Sequence, residues 1–406
     1  MKKYWKSTAI IAVIVISIGT FYINAALSAP EYPMFIIEKQ SGQDQALGSL
    51  AVEGFYHETA SMNYVNTNVT ITSEGSEYNS RTFIDQIIGQ PAPMIEDLQN
   101  EHRYFMRGKG LSTDSYFESD QMLAYAEATY SYGSMGPEDF TFDIGILDKQ
   151  TNDTNAFTVE IPESLEIDYI YVEDVQVVDN VLHVITYNVL SNNNNNNVAN
   201  YIYTIDLTKE TVSSYEAVFT ESEQQEDLDI NTSLVRTNPK QANEQLLYLK
   251  TENKEIEDQE SIIRIENLSK ELISYNLKTK EKTIIDLGER LKENDISYYV
   301  DSTVYLTKIN EQNLVVTPYQ LEDQQFGNPY TIELSGETGE GHSPMIEVHE
   351  GKLYVTTRRM TDKINANVTM VDVKTGETLY KGEVITKEDK EDLDEFELYI
   401  HDISVR

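Results

Sequence analysis

Histidine is the side chain best suited to bind a metal ion or to transfer a proton near neutral pH, and the chain contains six. They are His57, His102, His183, His342, His349 and His401. No two of them have the spacing of a helical metal-binding pair. Glu347 and His349 alternate on one predicted strand and so share a face, where they form either part of a divalent-ion site or an ordinary solvent-facing pair.

Three glycine-containing segments superficially resemble catalytic or phosphate-binding loops. The glycines around Ser134 lack the spacing that exposes a serine nucleophile on a strained turn. Gly108-Lys109-Gly110 lacks the upstream glycine and the following serine or threonine of a phosphate loop. The segment from Gly336 to Gly341 opens no helix, and its glutamates would repel phosphate. We predict loops or turns at all three.

Carboxylates are abundant, but the sequence singles out no pair of them. The four acids from Asp389 to Asp394 offer oxygen ligands for calcium, yet the segment lacks the glycine of an EF-hand loop. The acidic stretches 221–229, 252–260 and 387–395 are predicted to be solvated surface, and Asn192 to Asn197 a loop tip. The carboxylate pair of a glycoside hydrolase would come from distant segments. We therefore assign no catalytic residue, no metal ligand and no cofactor.

The composition excludes several classes of protein. The chain has 406 residues, with 69 acidic against 31 basic and a net charge of −38. Nucleic-acid binding needs a basic surface and is excluded as a function. The absence of cysteine excludes disulfides, thiolate metal sites, a cysteine nucleophile and a lipidated N-terminal cysteine. The hydrophobic content of 40% is sufficient for a large folded core.

The N-terminus has the pattern of an exported protein. Lys2, Lys3 and Lys6 precede an apolar span of about 20 residues from Thr8 to Leu27, long enough to cross a bilayer as a helix. The basic flank keeps the N-terminus in the cytoplasm. We expect residues 1–30 to be an uncleaved signal-anchor and residues 31–406 to be an extracytoplasmic domain. The small residues from Ala25 to Ala29 leave signal cleavage and secretion as the alternative.

The remainder of the chain reads as a repeat of short β-strands. Polar and apolar residues alternate in short runs, separated by turn signals such as Asp179-Asn180 and Asp301-Ser302. A unit of two hairpins recurs every 49 to 65 residues. One strand position marks five of these units: Tyr125, His183, Tyr248, Tyr305 and Tyr354. Four strands and their connections fill such an interval, as in one blade of a β-propeller.

With a further unit beginning near Leu50, the sequence predicts an all-β propeller of six blades. Seven is the alternative count, because the run from Phe396 to Val405 is unassigned. An open row of blades would expose a sheet edge, so the ring must close. We expect either a strand near Met34 to Glu38 or the Phe396 to Val405 run to close it. Only short helices are predicted, over 94–99 and 287–292.

The last unit combines a hairpin around Gly351, an apolar-Tyr-apolar strand at Tyr354, and the sequence from Val371 to Gly376. Over about 45 residues this pattern resembles a blade of the pyrroloquinoline-quinone-type propellers. Those blades usually carry a docking tryptophan about four residues after the glycine, where this chain has Tyr380. The single tryptophan is Trp5, so the ring of tryptophan contacts is missing. We take the blade architecture from this resemblance but not its cofactor.

Two functions remain open. The first is a membrane-tethered module that binds another envelope protein, since loops on a rigid scaffold often form binding sites. The second is a hydrolase or lyase for envelope or extracellular glycans, with acidic residues in the central depression. A cluster of carboxylates with raised pKa values there would favour the enzyme, and a closed or apolar centre would favour the module. The missing catalytic motifs favour the module.

Overall fold

The computed structural model describes most of the chain after Glu31. The described ranges are 32–43, 50–58, 67–79, 91–133, 136–192, 195–222, 228–257, 263–336, 343–349, 351–359, 364–387 and 396–405. The predicted signal-anchor lies outside them, as do Ser134, His342 and the acids from Asp389 to Asp394. Within these ranges no helix is long and apolar enough to span a membrane.

The described residues form six antiparallel sheets, numbered here along the chain, with strands given in their spatial order. The first contains β26 (Phe396–Val405), β2 (Leu50–Glu58), β3 (Thr67–Ile71) and β4 (Ser76–Asn79). The second contains β5 (Tyr116–Glu118), β6 (Met122–Tyr132), β7 (Pro137–Asp148) and β8 (Thr154–Glu160). The third contains β9 (Ile167–Val178), β10 (Val181–Asn192), β11 (Asn195–Asp206) and β12 (Thr211–Ser222).

The remaining three sheets follow the same order. The fourth contains β13 (Leu228–Leu234), β14 (Gln245–Glu257), β15 (Ile263–Asn276) and β16 (Lys282–Ile285). The fifth contains β17 (Asp295–Val300), β18 (Thr303–Asn310), β19 (Asn313–Gln320) and two short strands that both pair with β19, β20 (Gln325–Phe326) and β21 (Tyr330–Glu333). The sixth contains β22 (Met345–His349), β23 (Lys352–Arg358), β24 (Ile364–Asp372), β25 (Thr378–Thr386) and β1 (Phe35–Gly42).

The tight turn between the first and second strands follows from its residues. Asp179 and Asn180 adopt φ values of 50° and 63° between β9 and β10, and Asp301 and Ser302 adopt 49° and 57° between β17 and β18. Two successive positive φ values give a turn whose twist matches that of a β-hairpin. Short polar side chains tolerate this conformation better than most others. Both turns predicted from the sequence are confirmed.

The turn between the third and fourth strands repeats even more closely. In four sheets the side-chain oxygen of one residue accepts hydrogen bonds of 2.8 to 3.1 Å from the backbone N–H groups two and three positions later. Those residues are Asp148, Asp206, Asn276 and Asp372. The residue four positions further on has positive φ in each case. At Gly376 a Cβ atom would lie 2.4 Å from the ring of Tyr330, so that position requires glycine.

The column of repeat residues is confirmed. All five marker residues lie on the second strand of their sheets, and each is at most 7% exposed. The rings of Tyr248, Tyr305 and Tyr354 lie between neighbouring sheets, whereas Tyr125 packs with Ile95 and Leu98. Tyr354, for example, belongs to one core cluster with Val52 of the first sheet, and Tyr248 shares a cluster with Ile185 of the third.

Buried clusters join neighbouring sheets in chain order. Representative pairs, from the second and third sheets round to the sixth and first, are Phe142 with Val184, Ile185 with Tyr248, Leu247 with Val304, Tyr305 with Val355, and Tyr354 with Val52. Five pairs of neighbouring sheets therefore bury faces against each other, whereas Leu123 and Tyr125 of the second sheet pack with Ile95 and Leu98 from the segment that precedes it. The result is a β-propeller-like fold with six sheets, as the repeat predicted.

Both segments proposed to close the ring are paired strands. The C-terminal run forms β26 and pairs with β2, from Leu50 opposite Val405 to Glu58 opposite Phe396. The N-terminal run forms β1 and pairs with β25, so it adds a fifth strand to the sixth sheet. The C-terminal run thus belongs to the first sheet and does not form a seventh one.

Two further predictions concern helices and the asparagine run. Helix α1 (Pro93–Glu101) confirms the first predicted helix, and the second is a shorter helix, α2 (Glu289–Glu293), which begins after Gly288. The prediction of a loop tip from Asn192 to Asn197 is wrong for most of its length. Asn192 pairs with Asn195, because the backbone ladder of β10 and β11 continues outward from the pair of Val189 with Val198.

Candidate functional site: the central cavity

A cavity of about 570 Å³ lies where the first strands of the sheets converge. Strands β9, β13, β17, β22 and β26 contribute side chains to its wall. The 3-10 turn Thr113–Ser115, which precedes β5, and helix α1 complete the wall. Strands of five sheets and these two segments therefore meet at one site. Its volume is in the range of pockets that bind small ligands or inserted side chains.

The wall of this cavity is predominantly acidic. Its carboxylates are Asp97, Asp114, Glu173, Asp174, Glu347 and Asp402. Arg236 and Lys240 are its only basic side chains among the described residues. Acidic groups from separate sheets thus face one space, where their mutual repulsion is relieved by binding a cation or by taking up protons.

A β-bulge on β9 places two acidic residues side by side at the cavity. Along the β9–β10 ladder, Asp174 pairs with Ile185 and Val172 pairs with Thr186, so Glu173 has no partner of its own. Such a bulge lets two consecutive residues oppose one on the neighbouring strand, which re-aims their side chains. Glu173 and Asp174 both line the cavity for this reason.

The carboxylate of Asp174 belongs to a buried polar network. It accepts hydrogen bonds from its neighbour's backbone, Val175 N–H, at 2.9 Å and from Gln176 Nε2 at 2.8 Å. Gln176 in turn accepts a bond of 2.8 Å from the backbone N–H of Asn243 in the fourth sheet's first connection. Burial raises the pKa of Asp174 to about 7, although bonds from Gln176, Thr237 and Val175 favour the charged form. This network ties the third sheet to the fourth.

Glu173 and Glu347 are better placed to meet a ligand. Burial raises the pKa of Glu173 to about 6, the bond of 2.9 Å that it accepts from Asn200 Nδ2 lowers it, and the charge of Asp114 adds to the rise. Burial likewise raises the pKa of Glu347 on β22, while Arg236 lowers it and Asp402 raises it. Both carboxyl groups line the cavity and are only partly exposed. Glu173 can therefore exchange a proton near neutral pH.

The predictions made for individual histidines are resolved in two cases. His183 is a packed strand residue, as expected: it is 7% exposed, and burial lowers its pKa to about 4, with Lys280 nearby adding to the shift. Glu347 and His349 are half-buried and line the cavity. Among the described side chains, no third metal-ligating group converges on this pair.

One group of described side chains has the geometry of a metal site, and it lies apart from the cavity. The ligand atoms of Glu101, His102 and Glu118 lie within 4.8 Å of one another. Glu118 already forms an ion pair with Lys149, and Lys240 lies 4.0 Å from it. Two ammonium groups thus compete for the carboxylate that a metal ion would need.

Sequence reasoning did not identify Glu173, Asp174 or Glu347 as neighbours. A usable signal exists only on β9, where Glu173-Asp174 interrupts an apolar run that includes Val172 and Val175. Consecutive acids within a buried strand indicate a bulge or a binding site.

Comparisons with known proteins define no family for this chain. No protein-family model matches the sequence, and no curated protein matches it. Among solved structures, an apocarotenoid oxygenase from Synechocystis is 9% identical, with a TM-score of 0.43 over 88% of this chain and 94% of that one. TolB from Acinetobacter baumannii is 10% identical, with a TM-score of 0.33 over 84% of this chain and 65% of that one.

A third similar structure is the polysaccharide lyase Uly1, at 10% identity and a TM-score of 0.34 over 67% of this chain. The chain spans 57% of the lyase and 65% of TolB. At such identities and TM-scores, none of these similarities bears on what this chain binds or catalyses.

Proposed function

We propose that this chain is a membrane-tethered, extracytoplasmic binding module. In this proposal the six sheets are the blades of a closed β-propeller, and its central cavity receives a basic group of another envelope protein. The acidic cavity, which is lined by strands of five sheets, is the observation on which the proposal rests. The predicted anchor would hold the module near its partner, so a modest affinity would be enough for association.

The electrostatics of the cavity support a basic ligand. Six carboxylates and two basic side chains line it, so a cation gains favourable interactions with several groups at once. The net charge of −38 would also attract a basic partner over longer distances and repel anionic wall polymers and lipids. The association should therefore weaken as salt is added.

Catalysis is a second candidate, and one specific observation favours it. Glu173 and Glu347 have raised pKa values in the central depression, as the proton donor of a glycan hydrolase or lyase requires. Asp174 is less suitable, because its carboxylate is occupied by internal hydrogen bonds.

We also propose that the sixth sheet is a blade of the pyrroloquinoline-quinone type. The sixth sheet contains the turn at Asp372 and Gly376 on which the pyrroloquinoline-quinone-type resemblance depends. Tyr380 is 1% exposed and packs in the cluster between the sixth and first sheets. We propose that this tyrosine takes the packing role of the missing tryptophan.

Crosslinking in intact cells, followed by purification, tests the binding function. The full chain is compared with Glu173→Gln and Glu347→Gln, which keep the shape of each side chain and remove its charge. Glu377→Gln is the matched control, because Glu377 is exposed on a turn away from the cavity. We expect the wild type and the control to recover one dominant envelope protein that both cavity variants lose.

Equal recovery by all four proteins would contradict a role for the cavity. If no partner is recovered, and the purified full chain turns over a glycan in a reaction that Glu173→Gln abolishes, the enzyme replaces the binding module.

A further inference from the structure

A row of tyrosines leads across the surface to the mouth of the cavity. It consists of Tyr130, Tyr132, Tyr169, Tyr171 and Tyr187, on β6, β9 and β10, and is called here the tyrosine row. Four of these side chains are exposed: Tyr130 by 38%, Tyr132 by 78%, Tyr169 by 49% and Tyr171 by 41%. Exposed aromatic side chains grouped in this way are typical of binding surfaces.

The rings of the row form two groups in contact. Tyr130 and Tyr132 meet edge to face with centroids 5.2 Å apart. Tyr169 and Tyr171 are 5.9 Å apart, and Tyr171 stacks on Tyr187 at 5.2 Å. The two groups lie on adjoining strands, because β6 of the second sheet is in contact with β9 of the third. The row therefore bridges the second and third sheets.

The inner end of the row meets the carboxylates of the cavity. Tyr171 lines the cavity together with Glu173 and Asp114. Burial raises the pKa of Tyr171 to about 12, and Glu173 and Asp114 are among the neighbouring charges that raise it further. A ligand lying along the row thus passes from aromatic faces directly to acidic groups.

This combination selects a cationic side chain over other ligands. The faces of aromatic rings attract ammonium and guanidinium groups, and carboxylates behind them strengthen the attraction. The chain already contains such contacts: Arg358 lies 3.8 Å from the ring centroid of Tyr399, and Lys109 lies 5.0 Å from that of Tyr125. Anionic ligands would be repelled by Asp114 and Glu173.

We propose that the tyrosine row and the cavity mouth bind an arginine- or lysine-bearing segment of the partner polypeptide, an inference that rests on the proposed function. One basic side chain enters the cavity beside Glu173, and its neighbours in the segment lie across the exposed tyrosines. The charge complementarity between the acidic mouth and a basic segment defines the occupant. The row supplies affinity along the segment, and the cavity fixes its position.

Peptide binding to the full chain in detergent tests this proposal. The probes are fluorescent hexa-arginine and hexa-citrulline, its neutral analogue of nearly the same shape, together with a neutral hexasaccharide. Tyr132→Ala and Tyr169→Ala each remove one ring of the row. Tyr104→Ala is the matched control, because Tyr104 is 91% exposed and lies outside the row and the cavity wall.

We expect hexa-arginine to bind more tightly than hexa-citrulline, with an affinity that falls at high salt. Each tyrosine variant of the row should weaken hexa-arginine binding about two- to five-fold, since each removes one exposed cation–π contact. Tyr104→Ala should leave it unchanged. Because any acidic protein attracts hexa-arginine to some degree, the difference between the row variants and this control is decisive.

Equal effects of the three tyrosine variants would overturn the proposal, as would equal binding of hexa-citrulline. Hexasaccharide binding that depends on Tyr132 and Tyr169 would show that the ligand of the row is a glycan and not a basic segment. The crosslinking result separates this proposal from the broader one. A partner lost from the Glu347→Gln variant but retained by both row variants leaves the binding module in place and removes only the tyrosine row.

Discussion

Ionisation of Asp174 should make the folded state less stable as the pH rises. The pKa of this group is raised from 3.8 to about 7 in the folded protein, because the side chain is buried. An acid with a raised pKa holds its proton more tightly when the protein is folded. The contribution of Asp174 to the free energy of unfolding is therefore most favourable at low pH, and it falls as the pH rises from about 4 to about 7. Between pH 5 and pH 8 the loss is about 2 to 3 kcal/mol.

Asp174→Asn isolates this effect. Its side-chain oxygen can still accept the bond from Val175 N–H, but its NH₂ group then faces the Nε2 donor of Gln176. The variant should therefore lose about 1 to 3 kcal/mol at pH 5, where the wild-type carboxyl is largely protonated. At pH 8 that deficit should shrink or reverse, because asparagine does not ionise.

Urea unfolding of the full chain at a series of pH values, followed by far-ultraviolet circular dichroism, measures both quantities. The difference in unfolding free energy between wild type and variant cancels other titrating groups, including Glu173. Asp120→Asn, at an exposed turn position, is the matched control for the removal of one carboxylate. If the Asp174→Asn difference is equally constant between pH 5 and pH 8, the carboxyl does not titrate as reasoned here.

Three other outcomes are expected. Tyr354→Ala should lower the free energy of unfolding by about 3 to 5 kcal/mol and clearly lower the melting temperature, because the ring is 1% exposed between the sixth and first sheets. An unchanged melting temperature would contradict the alignment of the repeat. Tyr248→Phe should leave the melting temperature unchanged or raise it, because the hydroxyl is buried without a hydrogen-bond partner among the described residues; a marked fall would reveal one. Protease added to intact cells freed of wall should degrade the region after Glu31, and complete protection would contradict an extracytoplasmic domain.

The fold was largely predictable because its signals are local. Type I′ turns need residues such as Asp179 and Asn180, and the strands alternate apolar and polar side chains with period two. Both patterns can therefore be recognised in the sequence. The five marker residues could be aligned for the same reason, because each lies at a buried position of the second strand. His183 is buried there in the same way as the four tyrosines. The asparagine run was misjudged because backbone pairing can continue where the side chains give no strand signal.

The candidate site was not predictable in the same way. Glu173 reaches the cavity because a bulge shifts the register of β9 against β10, and no local pattern specifies that shift. Its partners in the wall, Glu347 and Asp402, are distant in sequence and meet it only once all six sheets are in place. With 69 acidic residues, composition could not select these few.

The pairing of Leu50 with Val405 has a consequence for biogenesis. Strand β2 emerges from the ribosome early, but the strand that covers its inner edge is synthesised tens of seconds later, at about 5 to 20 residues per second. Throughout that interval the open edge is available to chaperones or to other nascent chains. The first sheet is therefore completed only when the C-terminal strand has been synthesised. A premature stop at Phe396 removes the last 11 residues, including all of β26, and should direct the product to proteolysis, although five of the six sheets are encoded in full.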